Sequence, residues 1–168
     1  RRSDAGEPGA YALLRILTPL LKFRACRDAR AVTGDAMEVR GGCGYTEDFP
    51  DARLVRDAHL GSIWEGTSNL VAIDELRAES REGSLEALEA HLARLRDATP
   101  GTLAHLDHAT ARAFALARQA KGEAVLARQA STALYNVAAA TAMAWEAAAA
   151  RLASRRDLAA MVLSHRVL

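Results

Sequence analysis

The chain has 168 residues, half of them hydrophobic but only 5% aromatic, enough for one sizeable core and short of the Val, Ile, Tyr and Thr runs that strands need. Its 22 Lys and Arg against 21 Asp and Glu leave a formal net charge of +1, which argues against nucleic acid or an anionic membrane as a partner chosen by bulk charge. Cys26 and Cys43 form no CxxC or zinc-like cluster, so no metal is expected and two isolated thiols suit a cytoplasmic setting. No apolar run approaches the roughly 18 residues of a spanning helix, so no membrane partner is expected either.

Taken in chain order, Gly6, Pro8 and Gly9 among charges predict a frayed start over residues 1 to 9. A short helix is expected from Ala10 to Leu17. Thr18-Pro19 then reads as an N-cap with proline at the first position of a second helix. Leu20, Phe23, Ala31, Val32, Ala36 and Val39 recur at helical spacing up to Arg40, where Gly41-Gly42 ends the pattern. Residues 41 to 50, with three glycines in four positions and a closing proline, predict a loop rather than helix. A brief helix is expected over Asp51 to His59, and another from Thr67 or Ser68 to about Ser80. Gly83-Ser84 starts a helix to about Ala98, which Thr99-Pro100-Gly101 breaks. Two alanine-rich helices follow, near 102 to 121 and 123 to 153, and Ser154 with Asp157 reads as the cap of a last one. The fold class is all-α, a helical bundle in which small residues let helices approach closely. The chain starts without methionine and stops at Leu168 in mid-pattern, so a fragment of a longer chain is expected.

Two segments are not required by helix packing. Glycines in Glu38-Val39-Arg40-Gly41-Gly42-Cys43-Gly44-Tyr45 would let a phosphate-bearing molecule reach main-chain N–H groups, although a helix C-cap and turn also explain them. In Trp64-Glu65-Gly66-Thr67-Ser68-Asn69 a carboxylate precedes a helix start beside an aromatic ring. Removal from water would raise its pKa and fit it as a base near neutral pH. A solvated glutamate next to an ordinary N-cap is the plainer alternative.

In this order, the run GGCGYTEDFPDARLVRDAHLGSIWEGTSN resembles the C-terminal signature of acyl-CoA dehydrogenases. That signature is Gly-Gly-x-Gly-aromatic, then Arg-Asp (here Arg56-Asp57-Ala58), then aromatic-Glu-Gly-Thr/Ser. LTPLLKFRACRDARAVTGDAMEVRGG and IWEGTSNLVAIDELRA are most similar to the AidB-like branch. The resemblance is specific over about 18 to 78. It divides the chain into a signature-bearing portion of the C-terminal bundle (1–80) and an additional helical extension (81–168).

The resemblance implies an FAD-dependent enzyme that dehydrogenates an acyl-CoA thioester between its α and β carbons. Glu65 would be the catalytic base that takes the α-proton, while Trp64 and Gly66 would shape the substrate pocket. FAD contacts would fall on Glu38, Gly41, Gly42, Thr67, Ser68 and Asn69, the first three commonly meeting the dinucleotide of a neighbouring subunit. Glu38 stands where many members carry glutamine, and an acid beside a pyrophosphate is electrostatically awkward. Arg56 and Asp57 are read as a structural ion pair, and His59 as a surface or packing histidine. The Glu65 carboxylate is expected to face the same cavity as the diglycine turn. The family's N-terminal helical domain and middle β-domain are missing, so the fragment alone should be inactive. A homotetramer or homodimer is expected, with an electron acceptor that the residues do not identify. The alternative is an AidB-like DNA-binding, alkylation-response flavoprotein with little dehydrogenase activity, for which Arg151, Arg155, Arg156, His165 and Arg166 form a modest basic cluster.

Overall fold

The computed structural model describes residues 6–7, 9–64, 66–67, 72, 83–99, 101 and 103–167. These form helices α1 (Ala10–Val39), α2 (Gly42–Tyr45), α3 (Asp51–Gly61), α4 (Ser84–Asp97), α5 (Leu106–Ala120), α6 (Ala127–Ala150) and α7 (Ala153–Val162). A 3-10 turn, Ala124–Leu126, precedes α6, and a π-type turn, Leu163–Val167, follows α7. No strand occurs among the described residues, so the all-α bundle is as expected. The helix expected from Thr67 or Ser68 to about Ser80 lies almost wholly outside them.

α1 departs from the expectation of two helices. It runs unbroken for 30 residues with Pro19 inside it, and Thr18 caps nothing. Proline removes the bond to the Arg15 carbonyl and crowds the preceding turn, a cost of about 3 kcal/mol in a helix interior. Continuity is retained because Ile16, Leu20 and Phe23, three and four residues apart, are all buried on one face. A break at Pro19 would turn that face away from the core. Pro19→Ala is therefore expected to stabilise the chain by about 1–3 kcal/mol, seen as a higher melting temperature by circular dichroism. A lower one would contradict the continuous helix.

α6 lies against α1, α4, α5 and α7. Its Ala130, Leu134, Val137, Ala140 and Ala144 share one core cluster with Leu85, Leu88 and Leu92 of α4 and with Ala109, Ala113, Phe114 and Ala117 of α5. Ile16 and Leu20 of α1 belong to the same cluster. The alanines let backbones approach where larger side chains would hold them apart. Three buried polar groups are satisfied locally: Ser131 and Thr141 hydroxyls donate to carbonyls one turn back, and Asn136 Nδ2 donates to the Arg166 carbonyl at 3.1 Å. The last contact pins the closing turn to α6.

Several boundaries moved. α6 ends at Arg151 in the left-handed region (φ 54), and α7 begins at Ala153 with no side-chain cap, so Ser154 sits inside the helix. Residues 42–45, expected to be loop, form one helical turn. Glycine tolerates that conformation as readily as an extended one, and burial of Gly44 selects it.

α1 also carries a second apolar stripe. Leu14, Leu21, Val32 and Val39 are spaced seven, eleven and seven residues apart, which keeps them on one line of the helix. All four are more than half exposed, on the side away from Ile16 and Leu20.

Candidate functional site

α3 sets the position of both signature segments, because it folds back antiparallel along the second half of α1. Lys22 Nζ donates to the Gly61 carbonyl at 2.6 Å, a cation placed on the unpaired end of α3 where the helix dipole favours it. One turn on, Ser62 Oγ donates to the Cys26 carbonyl at 3.2 Å. At the other end, Arg40 Nε meets Asp51 Oδ2 at 3.0 Å, and the Arg40 guanidinium lies 5.2 Å from the Phe49 ring centre. Lys22 was not singled out from the sequence, although a lysine four residues after the Thr18-Pro19 pair carries no signal that it will reach a residue so far along the chain.

The diglycine turn sits at the Arg40–Asp51 end. Gly41 has φ 62, a conformation that favours glycine, and its N–H donates to the Glu38 carbonyl at 2.9 Å. No atom lies within 4 Å of where a Cβ would stand on Gly41 or Gly42. Their backbone is therefore open to close approach by another molecule, the property a dinucleotide-binding turn needs, and Glu38 is exposed beside it. Gly44 is the opposite case: a Cβ there would run into the Met37 carbonyl oxygen and come within 3.0 Å of Arg40 Cβ. Because backbone cannot yield as a flexible side chain can, Gly44→Ala is expected to cost about 1–3 kcal/mol, read as a lower urea midpoint. An unchanged midpoint would contradict the packing of α2 on α1.

The Trp64 segment sits at the other end of α3. Trp64 N–H donates to the Leu60 carbonyl at 3.1 Å, its side chain is 67% exposed, and Gly66 follows with φ 106. Thr67 is exposed. Glu65, Ser68 and Asn69 lie outside the described residues. An eleven-residue α3 rises about 16 Å, so the two segments stand that far apart along the helix axis. The expectation that the Glu65 carboxylate shares a cavity with this turn falls outside the described residues; the exposed Trp64 and the open diglycine backbone mark the two ends of α3.

Arg56 and Asp57 do not pair. Neighbours in sequence point to different sides of a helix, and each finds another partner. Arg56 makes a two-pronged contact with Glu47 at 2.8 and 3.1 Å, and Asp57 faces Arg53 at 3.5 Å. The Arg56 hydrogen bond and charge hold the Glu47 carboxyl below its ordinary value. This contribution to the 46–50 loop is present above the unfolded carboxylate pKa and is lost as pH falls through the folded one. His59 is exposed, with Nδ1 2.8 Å from the Val55 carbonyl, a surface histidine on its own helix.

Two of the C-terminal basic residues, Arg155 and Arg166, face different partners. Arg155 Nε lies 3.5 Å from Glu146, whereas Arg166 points into a cleft with Arg27 and Arg128. No helix among the described residues is long and apolar enough to cross a membrane.

The family model described as acyl-CoA dehydrogenase, C-terminal domain, matches residues 1–77. The chain is 39% identical over 85 residues to AidB of Escherichia coli strain K12, covering 51% of this chain and 15% of that protein. It is 40% identical over 80 residues to acyl-CoA dehydrogenase family member 11 of Caenorhabditis elegans, covering 46% and 13%. The crystal structure of Caenorhabditis elegans ACDH-11 in complex with C11-CoA superposes with a TM-score of 0.85 at 23% identity, over 99% of this chain and 32% of that one. Thus the chain spans about a seventh of the length of these curated relatives, while its fold is matched from end to end. Residues 1–77 are thus similar to the C-terminal domain of the acyl-CoA dehydrogenase family.

Proposed function

We propose that this chain is the C-terminal helical part of a longer, cytoplasmic, FAD-dependent acyl-CoA dehydrogenase, and that it is inactive by itself. The observation that carries the reading is the order of the signature on one α-hairpin: the open diglycine turn, Arg56-Asp57-Ala58 on α3, and Trp64, Gly66 and Thr67 past the far end of α3, with Glu65 between them in sequence.

The chemistry follows from these positions. When bound, FAD supplies the acceptor for the hydride leaving the β-carbon of the thioester. Glu65 takes the α-proton; with the other domains of the longer chain packed over it, Trp64 would wall the pocket and exclude water from that proton transfer. Gly66, lacking a side chain, lets the thioester lie against the backbone. Thr67, Ser68 and Asn69 bring hydroxyl, amide and main-chain N–H donors to the flavin. Glu38, Gly41 and Gly42, about 16 Å away along α3, meet the dinucleotide of a neighbouring copy, which requires a homodimer or homotetramer.

The missing domains have a surface to occupy. Of the sixteen large hydrophobic side chains exposed in the described structure, eleven fall between Tyr11 and Trp64, including the outward stripe of α1. Such patches on a folded unit mark contacts, and the N-terminal and β-domains of the longer chain would cover them. Residues 81–168 then form the additional extension, bonded to the signature portion through a common core.

The test is the visible spectrum of the longer protein under anaerobic conditions. Flavin absorbance that bleaches on adding a short or branched acyl-CoA is the expected result. A colourless protein, or bound flavin that no thioester bleaches, counts against the proposal.

A further inference from the structure

Phe23 and Arg27 of α1, Arg128, Gln129 and Thr132 of α6, and Arg166 of the closing turn line an open cleft of about 490 Å³. No described residue of either signature segment lines it. Three guanidiniums distant in sequence are thus brought together from three elements. Arg27 is fixed against the Phe23 ring, its guanidinium 5.5 Å from the ring centre. Arg166 is fixed through its carbonyl, which accepts from buried Asn136 at 3.1 Å. Arg128 stands in the first turn of α6, where the helix dipole adds positive potential.

The cleft is short of negative charge. No carboxylate is among its described lining residues, and Asp28, which meets Arg166 at 3.9 Å, is already engaged by Arg24 at 2.6 Å. Burial, then the Arg128, Arg30 and Arg24 charges, hold the Arg27 pKa below the ordinary arginine value. Neither Arg27 nor Arg128 has an ion-pair partner among the described residues. Like charges held together in a concavity repel until an anion enters, and arginine's planar fork suits phosphate oxygens.

We propose that this cleft binds a small phosphorylated molecule. Its phosphate would lie among Arg27, Arg128 and Arg166, with the Gln129 amide and Thr132 hydroxyl as further polar contacts and the Phe23 ring as an apolar wall. A small ligand is favoured over an extended polyanion because the concavity gathers three guanidiniums, while several basic side chains outside it are paired: Arg118 with Glu89 at 2.6 Å, Arg96 with Asp107 at 2.9 Å, Arg155 with Glu146 at 3.5 Å. The inference is independent of the flavin reading.

Calorimetric titration of the 168-residue chain with inorganic pyrophosphate at low chloride tests it. Saturable binding is expected, weakened at least about tenfold by Arg128→Gln and by Arg27→Gln, and unchanged by Arg155→Gln. Arg128 is exposed, so its replacement leaves the core intact, and unaltered helicity of the variants verifies this. The proposal is overturned by an absence of saturable heat, by unchanged affinity in Arg128→Gln, or by equal weakening in Arg155→Gln. A short DNA duplex that binds through the same arginines and is not displaced by pyrophosphate would also overturn it, assigning the cleft to a nucleic acid.

Discussion

Glu65→Gln in the longer protein is expected to leave FAD bound and to slow thioester-driven bleaching of the flavin by about 10²–10⁴-fold, the range that a positioned base contributes. Glutamine keeps the size and hydrogen-bonding oxygen of glutamate but accepts no proton at neutral pH. Folding and cofactor retention should therefore survive while proton removal fails. Stopped-flow absorbance under anaerobic conditions separates the two effects, since the amplitude of the oxidised spectrum reports bound flavin and its decay reports chemistry. A variant that bleaches at the unaltered rate would remove Glu65 from the reaction. Loss of the flavin altogether would point instead to a structural carboxylate at the start of the Gly66-Thr67 segment.

The largest expected effect on stability lies elsewhere, at Phe114. Its side chain is 1% exposed in the middle of α5, inside the cluster that joins α1, α4, α5 and α6. Ala117, one turn on along the same face, and Ala113 and Ala109 belong to the same cluster, and small residues have no atoms with which to refill the space a ring leaves. Phe114→Ala should accordingly sit toward the costly end of large-to-small substitutions, about 3–5 kcal/mol. Chemical denaturation measures this directly, and a loss below about 1 kcal/mol would mean that the bundle collapses around the cavity. Trp64→Ala, a larger truncation at a mostly exposed position, should change stability far less in the isolated chain. That contrast separates a residue kept for packing from one kept for a site.

The helical class and most of the element order were legible because the signals are local. Gly41 marks the end of α1 and Gly83 the start of α4 by conformations that side chains disfavour, and such positions announce themselves in sequence. Pro19 misled for the complementary reason. Its local rule breaks a helix, but Ile16, Leu20 and Phe23 bind the same face of α1 to the core, and tertiary burial outweighs one missing bond. The one-turn α2 was hidden likewise, since only the close approach of Gly44 to Met37 and Arg40 selects helix from the glycines' many options. Ion pairs followed geometry rather than adjacency: Arg56 reaches back to Glu47 because Asp57 points away from it.

Of the candidate site, the sequence showed the residue types and their order but not their separation. Nothing in the spacing of Gly41 and Trp64 reveals that α3 holds them at its two ends. Convergence of residues 27, 128 and 166 is even less readable, as no periodic pattern links them. Arg166 in particular seemed to belong with its sequence neighbours and instead faces α1. Glu65, Ser68 and Asn69 are assigned by the motif alone.

The most direct test is a crystal structure of the longer protein with its flavin and a non-reacting thioester bound. The account predicts the carboxylate that follows Trp64 within hydrogen-bonding range of the substrate's α-carbon, on the side of the acyl chain opposite the flavin ring. A carboxylate turned into bulk solvent, with the thioester bound elsewhere or not at all, would contradict it.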